Sequence, residues 1–157
     1  MIHSLVLQRH DRLDAQAQAA AMTVMARAFD PAFGEAWTAP QLAGMTTMDG
    51  TWLTLARLDA ATLGFALVRS IFDEAELLLL AVDPGWRGRG IGSALLNDSI
   101  AAARLRGIKS MHLEVRSGNN AVNLYKNSGF LHVNTRCNYY RGNDNRLYDA
   151  LSFRRDL

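Results

Sequence analysis

Apolar positions along the chain switch repeatedly between a period near two and a period near 3.6. Residues 4–8 read as a first strand. Over residues 14–29, Ala17, Ala21, Val24, Met25 and Ala28 recur near helical spacing, and Asp30-Pro31 closes the segment. Thr38-x-x-Gln41 has the form of a capping box and predicts a short second helix reaching about Met45. Residues 51–58 and 63–71 are apolar runs around a turn at 59–62, which predicts a hairpin. Residues 72–75 turn the chain into 77–82, an unbroken apolar run that reads as a buried strand. A helical pattern follows over 92–106, with Ile91, Leu95, Leu96, Ile100 and Ala103 along one side and Gly107 as its stop. Residues 110–115 predict a strand, 119–128 a helix ended by Gly129, and 130–135 and 150–154 two final strands. The order β-α-α-β-β-β-α-β-α-β-β predicts an α/β fold, a mixed sheet with helices on both faces.

The junction between the 77–82 strand and the 92–106 helix carries the most chemistry. It reads Val82-Asp83-Pro84-Gly85-Trp86-Arg87-Gly88-Arg89-Gly90-Ile91-Gly92. Glycines permit positive φ and let a ligand approach the main chain. The first N–H groups of a helix lack internal partners, and the macrodipole favours an anion there. This is a candidate phosphate loop. A Walker A loop needs Gly-Lys-Ser/Thr at the helix start, and that is missing. A dinucleotide fingerprint is nearly met from Gly88, as Gly-x-Gly-x-x-Ser, with Glu114 in place of the ribose acid. The preceding strands, however, read as antiparallel hairpins rather than βαβ units. The third form, Arg-x-x-Gly-x-Gly, is met by Arg87, Gly90 and Gly92 and resembles the pyrophosphate loop of the GNAT superfamily of acyl-CoA N-acyltransferases. A plain strand-to-helix turn is the competing structural reading.

Composition narrows the class. The 157 residues suit one domain over 1–157 with a sizeable core. Hydrophobic residues make up 49% and charged residues 20%, the balance of a soluble globular protein. The 77–82 run is far too short to span a membrane. His3, Arg9 and Asp11 around a short apolar stretch do not read as a signal peptide. Cys137 is the single cysteine, so no internal disulfide can form, and a reducing, cytoplasmic compartment is expected. A net charge of +2 is too small to argue for a nucleic-acid partner.

Four further segments carry a family resemblance. They are Leu113-Glu114-Val115-Arg116 followed by Asn119, then Leu124-Tyr125-x-x-x-Gly129-Phe130, then Arg136-x-x-Tyr139-Tyr140, then Asp149-Ala150-Leu151. With Ala81-Val82-Asp83-Pro84 and the phosphate loop, they resemble the RimI branch of the GNAT superfamily. The resemblance is strong over about residues 73–153. In the first half it rests on Phe29 and the Trp37-Thr38 helix start. It implies the GNAT fold, a mixed and mostly antiparallel sheet of about seven strands flanked by about four helices. It also implies an enzyme that transfers acetyl from acetyl-CoA to the N-terminal alanine of a small-subunit ribosomal protein, with no metal.

Site roles follow from the resemblance. Glu114 would be the general base that takes the amine proton, through water, and the competing reading pairs it with Arg116 or solvent. Tyr125 would be the acid that protonates the departing thiolate, against a core tyrosine with a satisfied hydroxyl. Leu80, Ala81 and Val82 would offer backbone groups to the pantetheine arm and thioester. Arg87, Gly88, Arg89, Gly90, Ile91, Gly92 and Ser93 would wrap the pyrophosphate, and Asn119 would bind the CoA arm. Tyr139 and Tyr140 border the acceptor groove in related enzymes, so at least one should line a peptide site; the alternative is packing at the sheet end. Two departures from the family pattern stand out. Ser117-Gly118 precedes Asn119, which is expected to loosen that turn, and Tyr148 replaces a common acidic residue, which bears on substrate preference.

Other residues read as bland. His112 shares a strand face with Glu114, where a packed or solvated histidine competes with a relay. His3, His10 and His132 form no metal-ligand spacing. Cys137 beside Arg136 reads as an ordinary thiol.

Three functions remain in competition: acetylation of a protein N-terminus, acetylation of a small amine, and a CoA-binding module without turnover. The joint presence of Glu114 and Tyr125 argues against the third. An α-amine has a pKa near 7.7–8.0, so roughly a tenth to a fifth is neutral at pH 7, against about one in 2,500 for lysine. One glutamate with water suffices for the former. Oligomeric state is not encoded in any of these patterns.

Overall fold

The computed structural model describes residues 4–157. Seven strands form one sheet: β1 (Val6–His10), β2 (Thr51–Leu58), β3 (Ala61–Ile71), β4 (Glu74–Val82), β5 (Ser110–Arg116), β6 (Leu131–Arg141) and β7 (Leu147–Asp156). The helices are α1 (Ala15–Ala28), α2 (Ala39–Thr46), α3 (Ile91–Leu105) and α4 (Ala121–Asn127). Spatial order is β1-β2-β3-β4-β5-β7-β6, antiparallel throughout except for β4 beside β5. The expected α/β architecture of about seven strands and four helices is what forms.

Local chemistry explains most boundaries. The Asp14 carboxylate caps α1 by accepting from the Ala17 amide. Thr38 and Gln41 form the reciprocal capping box at the start of α2. β4 and β6 are longer than their apolar patterns. In β4, Glu74 and Glu76 alternate with buried Ala75 and Leu77, so the strand begins before the apolar run. In β6, nearly every residue is exposed because it is the sheet edge; pairing with β7, not burial, defines it.

Helices cover both faces. On one side α3 and α4 pack on Trp52, Val68, Met111 and Phe153 through Leu95, Leu96, Ile100 and Tyr125. On the other, α1 and α2 pack on Leu53, Leu55, Phe65 and Leu67 through Ala21, Val24, Met25 and Leu42. Burial of each large apolar side chain contributes about 1.5–3 kcal/mol, so both layers hold the sheet rigid beneath the site.

The sheet is not continuous along its length. β4 and β5 pair only over Glu74–Glu76 and Ser110–His112. Beyond that point the two strands diverge, and the β5-facing backbone groups of residues 77–82 have no strand partner. Buried backbone groups need partners, so this splay is a place for a ligand with hydrogen-bonding groups along its length.

Candidate active site

A cavity of about 720 Å³ fills the splay. Its walls come from four regions: Leu80, Ala81 and Val82 of β4; Gly88, Gly90, Ile91, Gly92 and Ser93 at the start of α3; Glu114, Asn119 and Tyr125; and Phe29, Phe33, Glu35 and Tyr140 above them.

The glycine-rich turn before α3 leaves main-chain donors open to the cavity. Gly88 and Gly90 have φ of 75° and 83°, left-handed values that favour glycine. Gly90 is the N-cap of α3 and supplies no side-chain cap, so the first α3 amides keep their hydrogen-bonding capacity. The space over both glycines is open.

Of the two arginines in the loop, Arg87 lines the cavity and Arg89 does not. Arg87 braces the loop, donating to the carbonyls of Ala28 at 2.7 Å and Val82 at 3.3 Å. Arg27 adds an ion pair to Asp83 at 3.1 Å, and Asp83 accepts from the Gly85 amide at 2.9 Å. Arg89 stacks over Trp86 at 4.7 Å and lies outside the cavity wall.

Glu114 faces the cavity from β5, an interior strand paired with β7 through Ser152. Its partner is Arg136, with Nε 3.1 Å from Oε1. The alternative pairing with Arg116 does not form: Arg116 turns to Glu35, donating through Nε at 2.9 Å. His112 shares the Glu114 face, as strand alternation requires, but its ring lies 3.8 Å from Glu76.

Tyr125 is buried at the cavity wall against Phe130 and Phe153. Burial, and then the neighbouring Tyr140 and Glu35, push its hydroxyl well above the ordinary tyrosine range. Tyr140 is pushed the same way by burial and by the carboxylates of Glu35 and Glu114. Both phenols therefore stay protonated through the neutral range. Tyr140 lines the cavity and Tyr139 does not; Tyr139 is half exposed and packs edge-on against Tyr140 at 5.1 Å.

Asn119 is already engaged at both ends of its amide. Oδ1 accepts from the Ala121 amide at 2.9 Å, and Nδ2 donates to Glu35 at 3.3 Å. The Gly118 turn is held rather than loose. Gly118 has φ of 87°, the Ser117 amide donates to Asp149 at 2.9 Å, and the Asn119 amide donates to Arg116 at 3.1 Å.

Sequence patterning missed the upper wall. The Arg116 guanidinium lies 3.7 Å from the Phe33 ring centre and 5.7 Å from that of Tyr148, and these two rings meet edge-on at 5.3 Å. Tyr148 thus covers an arginine already paired with Glu35. The segment between α1 and α2 also touches the β6–β7 hairpin through backbone. A Cβ on Gly34 would meet the Arg141 carbonyl, and one on Gly142 would meet that of Ala32, so only glycines permit this approach. The flanking Phe29 and Trp37-Thr38 were the nearest sequence signals. Phe33 and Glu35 sit in an aperiodic loop that gives none.

Comparison with known proteins agrees with this geometry. The family model described as Acetyltransferase (GNAT) family matches residues 20–130. A [ribosomal protein bS18]-alanine N-acetyltransferase of Haemophilus influenzae is 40% identical over 78 residues, covering 50% of this chain and 53% of that protein. The Escherichia coli protein of the same name is 41% identical over 83 residues, covering 52% and 56%. The chain spans about half the length of the curated relatives it matches. The crystal structure of the ribosomal-protein-S18-alanine N-acetyltransferase from Escherichia coli superposes with a TM-score of 0.84 at 28% identity, covering 98% of this chain and 94% of that one. With the splayed sheet, the glycine-rich start of α3 and the family match over most of its length, this chain belongs to the GNAT acetyltransferase family.

Proposed function

We propose that this protein is an acetyl-CoA-dependent N-acetyltransferase acting on the N-terminal α-amine of a protein. Alanine of a small-subunit ribosomal protein is the acceptor favoured by the similarity to the bS18-alanine enzymes. The observation that carries the reading is that Glu114 and Tyr125 line one cavity whose floor is the uncapped start of α3.

Acetyl-CoA supplies an acyl thioester; an amide bond forms to the acceptor nitrogen as the C–S bond breaks. The α3 amides and the left-handed glycines would hold the pyrophosphate by main chain, with Arg87 and Asp83 keeping the loop in shape. The β5-facing backbone groups of Leu80, Ala81 and Val82, which are paired to β3 on their other side, would run along the pantetheine arm. Asn119 holds the Ala121 amide through Oδ1 and Glu35 through one Nδ2 hydrogen, and its second Nδ2 hydrogen would bond the CoA arm. Glu114 takes the amine proton through water. Tyr125 needs closer accounting. A thiol titrates near 8.5 and a free tyrosine near 10, and burial raises this hydroxyl further. Complete proton transfer from Tyr125 to the thiolate is therefore uphill. Its hydroxyl acts as a hydrogen-bond donor to the sulfur as negative charge develops.

The same machinery would serve a small amine. A panel of peptides with different first residues, assayed beside small amines, separates the two readings. The central test is Glu114→Gln. Acetyl transfer to an alanine peptide at pH 7 should fall roughly 10²-fold or more while acetyl-CoA affinity is retained. The deficit should shrink as pH rises and more amine is neutral. A wild-type rate would place the base elsewhere.

A further inference from the structure

The reaction as derived leaves Arg136 and Tyr139 unused, yet both stand against the general base. They lie in an irregular stretch of the β6–β7 ladder. Arg136 pairs with Ala150 and Tyr140 with Tyr148, so residues 137–139 of β6 stand opposite Asp149 alone. This is an extended bulge, three residues against one. Its backbone is fixed at Asn138, which has φ of 55° and donates its amide to the Asp149 carboxylate at 2.9 Å. Bulges re-aim side chains next to functional sites. Here Arg136 reaches across β7 to Glu114, with 3.1 Å between Nε and Oε1. Its guanidinium also sits 5.2 Å from the centre of the Tyr139 ring, and Tyr139 rests edge-on against Tyr140 in the cavity wall.

We propose that Arg136 is a positioning residue for acetyl transfer: seated on Tyr139 by the β6 bulge, it holds Oε1 of Glu114 and leaves Oε2 to receive the amine proton. The proposal rests on Glu114 being the base. Three observations support it. Among the described residues, Arg136 is the only cation within ion-pair distance of Glu114. Arg136 is half exposed, and an ion pair with one solvent-screened partner adds little to stability. Arginine also suits a site with a carboxylate on one side and a ring on the other, because its planar group can pair and stack at once.

The test is a double-mutant cycle on acetyl transfer to an alanine peptide. Arg136→Gln should lower kcat about 10-fold, the scale of a misplaced but present catalytic group. Acetyl-CoA affinity and melting temperature should not move. Arg136→Lys should recover part of the loss, and Tyr139→Ala should reproduce a smaller one. In a Glu114→Gln background, Arg136→Gln should have no further effect. A wild-type kcat for Arg136→Gln, or an equal fold loss in both backgrounds, overturns the proposal while leaving Glu114 as the base. A wild-type rate for Glu114→Gln alone brings down the base assignment and this proposal with it. A crystal structure of Arg136→Gln adds a readout that needs no turnover. The Glu114 carboxylate should leave its present orientation, and finding it unmoved would also overturn the proposal.

Discussion

Replacing Gly90 by aspartate tests whether the start of α3 holds an anion, and replacing it by asparagine supplies the control. Gly90 sits at φ of 83°, with nothing within 4 Å of an added Cβ. Asparagine and aspartate are the side chains that best tolerate the left-handed region, at a cost of about 1 kcal/mol. Both variants should therefore fold, and both carry the same shape and the same strain. They differ by one charge. A carboxylate ~5 Å from a phosphate charge, at an effective dielectric of ~20, is opposed by about 3 kcal/mol. At physiological salt the Debye length of about 8 Å cuts this roughly in half, to a little under 2 kcal/mol. Coenzyme A should then bind about 20-fold more weakly to Gly90→Asp than to Gly90→Asn. At ~0.01 M salt, where screening nearly vanishes, the ratio should approach about 100-fold. Calorimetric titration at the two salt concentrations reads both ratios. Equal affinities for the two variants, or a ratio that ignores salt, would mean that the pyrophosphate does not lie at this helix start.

Two further outcomes follow from the cavity wall. The Tyr125 hydroxyl titrates above its unfolded value of about 10, so the stability gained by keeping it neutral is complete below pH 10 and is lost as pH climbs through the raised value. Urea midpoints should therefore fall above about pH 10, less steeply in Tyr125→Phe, and an identical alkaline slope in that variant would contradict the burial argument. Tyr140→Ala should raise the peptide KM or lower kcat/KM with acetyl-CoA affinity nearly unchanged; a loss confined to melting temperature would return Tyr140 to a packing role.

Much of this protein is legible in one dimension because its signals are local. Helical spacing from Ala17 to Ala28, the Thr38–Gln41 capping box and the glycine stops after α3 and α4 each act within a few residues. Their structural consequence is set by backbone geometry alone. The glycine-rich start of α3 is legible for the same reason: positive φ and uncapped amides are properties of the segment itself. Glu114, Tyr125 and Tyr140 could be named because they belong to recognisable segments, and all three meet in the cavity.

What tertiary structure decided is which charges meet. No spacing shows that Arg136 rather than Arg116 reaches Glu114, because the partner sits on a bulged edge strand two positions away across the sheet. Nor does any local pattern show that Arg87 spends its guanidinium on the end of α1, or that Arg116 joins Glu35 between Phe33 and Tyr148. Arginine and glutamate side chains are long, with many rotamers, and they pair with whatever the packed fold brings within reach. The splay of β4 from β5 is decided in the same way. Apolar runs specify that both are buried strands, but not where they part: the β3–β4 register shifts at Leu78, a bulge just past the last β4–β5 pair, and bulges bend and twist a strand.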